Sequence, residues 1–75
     1  VPGHALFLFN NPFVVEQAKL LAKSLPKDVT AAYLRVLNRE PTSDETKAGQ
    51  KLIAEAGFAA FCQALLVSNE FRYVD

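Results

Sequence analysis

Residues that start and stop helices recur along this chain at short, regular intervals, and between them the apolar positions follow a helical period. Asn11 precedes Pro12, the order expected at a helix start: the Asn side chain accepts a free N–H, and proline's missing N–H is not needed at the first helical position. From there Phe13, Val14, Ala18, Leu20 and Leu21 describe one face, with Gln17 as a polar exception, while Glu16, Lys19 and Lys23 cover the other side. Pro26 stops this helix. Asp28 caps a second, whose apolar face is Val29, Ala32, Tyr33, Val36 and Leu37. Asn38 follows, a residue that tolerates the left-handed conformation ending many helices.

Thr42 and Glu45 have the spacing of a capping box and open a third helix, with Asp44 and Glu45 near the positive end of its dipole. Ala48, Leu52 and Ile53 are expected to face inward, and Gly57 to close the helix. A fourth helix runs from Phe58 to about Ser68 and differs in kind. Its stripe is Phe58, Phe61, Cys62, Leu65 and Leu66, yet the opposite side is Ala59, Ala60, Ala64 and Val67. A helix apolar nearly all round is buried on most sides. The expected fold is all-α: a small bundle of three to four short helices with a packed C-terminal tail, forming one domain over residues 1–75.

In that tail, "SNEFRYVD", Ser68 and Asn69 fall where the helix is expected to end. Glu70 is unfavourable at a helix C-terminus and is expected to pair with an arginine or cap a neighbouring helix. Phe71 and Tyr73 alternate with Arg72, so an extended tail can lay both rings on the bundle and leave Arg72 in water.

A chain of 75 residues is near the lower limit for a self-sufficient core, burying only about 60% of the surface its unfolded form exposes. Here 51% of residues are apolar, which compensates. Eight basic side chains balance eight acidic ones, which argues against an electrostatic nucleic-acid binder. Cys62 is the sole cysteine, so neither an internal disulfide nor a thiolate metal cluster is possible. No apolar run approaches the roughly 20 residues of a membrane span. Without an initiator methionine, the chain is expected to be an excised or processed piece of something longer.

Candidate chemistry is sparse. His4 is the sole histidine, and Cys62 lies on an apolar stripe where a thiol behaves as a small hydrophobe. Glu40, Asp44 and Glu45 cluster at a helix start, where capping accounts for them better than a calcium loop does. Arg35 and Arg39 are four apart and can clamp an anion, but pairing with a carboxylate such as Glu40 is the commoner arrangement. No catalytic, cofactor-binding or metal-binding residue is assigned. Phe7, Phe9, Phe13 and Tyr73 are candidates for a binding surface, though aromatics at helical spacing are more often core. The run Ala5–Phe9, "ALFLF", is the exception: five successive apolar residues cannot all face one small core.

The blocks "ALFLFNNPFVVEQAKLLA", "AYLRVLNREPTSDE" and "FCQALLVSNEFRYVD" together resemble the C-terminal end of a planctomycete-specific domain of unknown function. That domain occurs in large exported proteins, often together with cytochrome-c-like domains. The resemblance implies an exported, periplasmic or cell-envelope location and a multi-domain parent, and it carries no residue-level activity. The family pattern has glycine before Arg39 and often tryptophan at Phe58; Asn38 and Phe58 preserve the physics of both positions. A looser likeness joins the Arg-x-Pro turn and final Ser-x-Glu-Phe to phycobilisome linker domains and surface-layer modules, which serve assembly.

The expected function is accordingly a non-catalytic helical interaction or scaffolding module. Its partner is protein, either a neighbouring domain of the parent chain or a second copy meeting the apolar N-terminal run. The alternative is the structural end of an enzymatic or redox domain whose active residues lie upstream. A small-ligand carrier with a cavity between the helices is a third reading.

Overall fold

A computed structural model describes the backbone of residues 11–74 and the side chains of residues 11–69. His4, Phe7, Phe9 and the ALFLF run lie outside the described residues, as do the side chains of Glu70, Phe71, Arg72 and Tyr73. Within the described residues the chain forms four helices and no strand.

Each helix begins and ends where local chemistry directs it. The Asn11 side chain accepts the Phe13 N–H at 2.9 Å and starts α1, Pro12–Ser24. Leu25 is extended, as the residue before a proline must be, and the Ser24 hydroxyl donates to the Leu21 carbonyl at 2.9 Å. A tight turn follows, closed by Asp28 N–H donating to the Pro26 carbonyl at 2.8 Å. The Asp28 carboxylate then accepts the Ala31 N–H at 3.1 Å and caps α2, Val29–Leu37. Asn38 is left-handed, with φ 58° and ψ 35°, and turns the chain toward α3, Ser43–Ala56. The capping box between Thr42 and Glu45 is formed.

Only Gly57 separates α3 from α4, Phe58–Val74. Its N–H donates to the Ile53 carbonyl at 2.9 Å while its own carbonyl accepts the Phe61 N–H at 3.3 Å, so one residue finishes one helix and starts the next. That junction has φ 97°, a conformation open to glycine and strained for any L side chain.

The expected end of the last helix near Ser68 is corrected: α4 passes through Ser68 and Asn69 and continues to Val74. Phe71 and Tyr73 therefore lie on helical backbone, and no extended tail forms. Serine and asparagine are only mildly unfavourable inside a helix, by tenths of a kcal/mol, and neither glycine nor proline follows Gly57 to impose a stop.

The core is built around α4. Its backbone approaches all three other helices, whereas α1 approaches α4 alone. Val14 and Ala18 of α1, Val29, Ala32 and Tyr33 of α2, and Phe58, Phe61, Cys62 and Leu65 of α4 are buried. Phe61 is the junction, its ring centroid 6.1 Å from that of Tyr33 and 6.2 Å from that of Phe58, both tilted. Such aromatic pairs add about 0.5–1.5 kcal/mol beyond area burial.

The third helix approaches through a glycine rather than through Ala48. Ala48 is exposed, and Gly49 is the buried residue of α3, flanked one turn on by half-buried Leu52 and Ile53. A methyl group placed at Gly49 would stand 2.9 Å from both Phe61 Cε1 and Val29 Cγ2. The missing side chain is what lets α3 lie against Phe61 and Val29.

Two glycine-to-alanine changes are expected to destabilise the bundle for different reasons. Gly49→Ala gains about 1 kcal/mol of helix propensity but must displace a buried ring and a buried valine, at about 1–3 kcal/mol or more. Gly57→Ala meets no atom within 4 Å, and its cost is backbone strain of about 1–3 kcal/mol. Urea midpoints measure both. D-alanine at position 57 should restore stability, and D-alanine at 49 should not; an unchanged midpoint for Gly49→Ala would contradict the close approach.

Candidate functional site

The residues expected to carry polar chemistry converge on the corner between α2 and α3. The Arg39 guanidinium donates to both Glu45 carboxylate oxygens, Nη1 to Oε1 at 2.8 Å and Nη2 to Oε2 at 2.9 Å. Oε1 also accepts the Thr42 N–H at 2.9 Å, and Thr42 Oγ1 accepts the Glu45 N–H at 3.2 Å. Arg39 reaches the Glu40 carbonyl at 3.0 Å, and its guanidinium carbon stands 5.4 Å from the centre of the Tyr33 ring. The anticipated partner, the Glu40 carboxylate, is thus replaced by Glu45, because the capping box already holds the Glu45 carboxylate beside the turn. With its fork occupied, Arg39 does not form an anion clamp with Arg35.

These contacts hold Glu45 well below the usual carboxylate range, at about 2, chiefly through Arg39 and next through the Thr42 N–H. Arg39 is raised in turn, first by its hydrogen bond to Glu45. Burial raises the Tyr33 phenol, with Glu45 adding to the shift and Arg39 opposing it. The corner is a structural fastening in which Arg39, Thr42 and Glu45 engage one another.

Cys62 is wholly buried, and desolvation pushes its thiol up, away from the thiolate a nucleophile requires. Among the described residues, no three His, Cys, Asp or Glu side chains gather where they can hold a metal ion. No helix there is long and apolar enough to cross a membrane.

Exposed apolar side chains lie along α1. Phe13 and Leu20, expected on the inward face, are 70% and 55% exposed. They are seven residues apart and so share one side of α1, while the core is reached by Val14 and Ala18 with help from Leu21. Beside that stripe a shallow groove runs between α1 and α4. One end is a depression of about 200 Å³ walled by Phe13, Val14, Gln17 and Leu66. The other, about 310 Å³, adds Leu21, Val36, Arg35 and Asn69. Arg35 therefore borders this groove, apart from Arg39. Sequence periodicity missed this surface because Phe13 and Leu20 carry the same residue types as the core positions beside them.

Residues 1–53 match the PSD1 family, described as a protein of unknown function (DUF1553), and the chain belongs to that family. The matched span takes in α1, α2 and α3 as far as Ile53 and does not reach α4 or the closing SNEFRYVD. No curated protein and no solved structure matches the chain.

The pH dependence of the corner follows from Glu45. Because its folded-state value is depressed from 4.5 to about 2, its charge contributes stability that is full above pH 4.5 and disappears as pH falls toward 2. Glu45→Gln is expected to be less stable than the natural chain at pH 7, with the difference closing across that interval. Denaturant midpoints at several pH values measure this, and a difference that stayed constant would contradict the assignment.

Proposed function

We propose that this chain is a non-catalytic helical interaction or scaffolding module of a larger exported protein. The observation that carries the reading is the exposed side of α1. Phe13 and Leu20 stand in solvent on one line, next to an apolar groove floored by Leu66. A domain this short uses most of its large apolar side chains for its own core, so two left outside on one line favour a contact surface. Leu34, the third large exposed hydrophobic among the described residues at 47%, belongs to α2 and stands apart, as single surface leucines commonly do.

Two further features support the reading. Arg39, Thr42 and Glu45 at the α2–α3 corner are engaged in holding the corner together, and the thiol is enclosed in the core. The resemblance to a planctomycete-specific domain of exported proteins, some with cytochrome-c-like domains, supports an envelope location and a neighbouring domain of the same chain as the partner. A second copy of the chain is the other protein surface that the stripe suits.

The expected behaviour is self-association or hydrophobic-dye binding by the 75-residue chain, read by light scattering and fluorescence. Combining Phe13→Ser with Leu20→Ser should abolish most of either signal. The melting temperature should stay nearly constant, since substitutions at exposed positions usually cost less than about 0.5 kcal/mol. A strictly monomeric chain that binds no dye would overturn the proposal.

A further inference from the structure

A quarter turn round α1 from the Phe13–Leu20 stripe lies a surface of opposite character. Lys19, Lys23 and Lys27 follow one another at intervals of four. With Ala22 and Leu25 they surround buried Phe58, the first residue of α4, in an open cavity of about 420 Å³. That is within the range of ligand pockets, about 300–1,000 Å³. All three lysines are exposed, and among the described residues no carboxylate lines the cavity.

Asp28, next to Lys27, accepts the Ala31 N–H, and Glu16 stands three residues before Lys19; neither forms an ion pair with these lysines, the pair found among the described residues being the distant Arg39–Glu45. Lys23 gains something from the C-terminal end of the α1 dipole. That accounts for one lysine and leaves Lys19 and Lys27 without a structural role. Lysine stems lie readily over apolar surface with their ammonium groups in water, so the cavity combines an apolar floor with a basic rim. In a chain of zero net charge, such a rim is a local field rather than a general one.

We infer that this cavity receives an acidic segment of the partner protein, with one apolar side chain on Phe58, Ala22 and Leu25 and flanking carboxylates at the three lysines. The inference rests on the interaction reading above and gives that partner a chemistry. A concave floor suits a single inserted side chain, whereas a lipid surface is entered by a projecting apolar face. Each ion pair at so exposed a rim is worth little alone, so the apolar anchor must supply most of the affinity and the lysines the selectivity.

The test is an amide-shift NMR titration of the isotope-labelled 75-residue chain with the peptide acetyl-Glu-Glu-Phe-Glu-Glu-amide. Shifts are expected to concentrate at residues 19–27 and 58–59. Affinity should fall at least about tenfold in about 0.5 M salt, where screening is nearly complete beyond a few ångströms. The combination of Lys19→Gln, Lys23→Gln and Lys27→Gln should weaken binding as far as high salt does and leave the remaining spectrum folded. Replacing the peptide's Phe by Ser should abolish the shifts.

Absence of shifts, or equal shifts with acetyl-Lys-Lys-Phe-Lys-Lys-amide, would overturn the inference. So would a response confined to phosphatidylglycerol vesicles, which would assign the rim to lipid. Dye binding and association through Phe13 and Leu20 are read separately. Their loss would remove the interaction reading, while failure of the peptide alone would remove only the lysine site.

Discussion

Everything in this bundle depends on enclosing one helix. From Phe58 to Val67, α4 offers a single polar residue, Gln63, among ten, and water is an unfavourable environment for any of its sides. The other helices solve that problem together: α2 brings Val29, Ala32 and Tyr33, α3 comes up through Gly49, and α1 closes with Val14 and Ala18. The dependence runs both ways, since α1 has no other helix to lie against. Phe61 is where most of these lines cross, touching Tyr33 and Phe58 and filling the space above Gly49.

The corners set the angles at which the helices meet α4. Arg39 and Glu45 bind the turn between α2 and α3 through four hydrogen bonds that include the capping box. Gly57 turns α3 directly into α4 with a single positive-φ residue. Outside these compact joints, α1 carries two exposed surfaces. One flank carries Phe13 and Leu20, another the lysine rim around Phe58. The proposed interaction role and the acidic character inferred for the partner both follow from that division.

Features governed by near neighbours were legible in the sequence. Asn11, Asp28, Asn38, Thr42 with Glu45, and Gly57 all act where their local chemistry places them, because a cap needs only the next few residues. The α2 face was legible too, its five apolar positions turning inward as spaced. What depended on distant neighbours was not. Ala48 and Gly49 are adjacent, and only the position of Phe61 decides that the glycine is the one buried. Phe13 and Leu20 are apolar residues at helical spacing, and only the way α1 lies on α4 decides that they miss the core. The end of α4 was misplaced because Ser68 and Asn69 permit a turn without requiring one. Lys19 and Lys23 read as a solvated side of α1, since their place beside Phe58 exists only once α4 is docked.

Native-state hydrogen exchange tests the central claim, that the enclosed fourth helix holds the fold together, most directly. If the other three helices are held by α4, the amides of Cys62 and Leu65 should be among the slowest in the protein and should open only with global unfolding, and α1 should lose protection in the same event. A fourth helix whose amides exchange faster than those of α2 and α3, with those two still protected, would contradict the account.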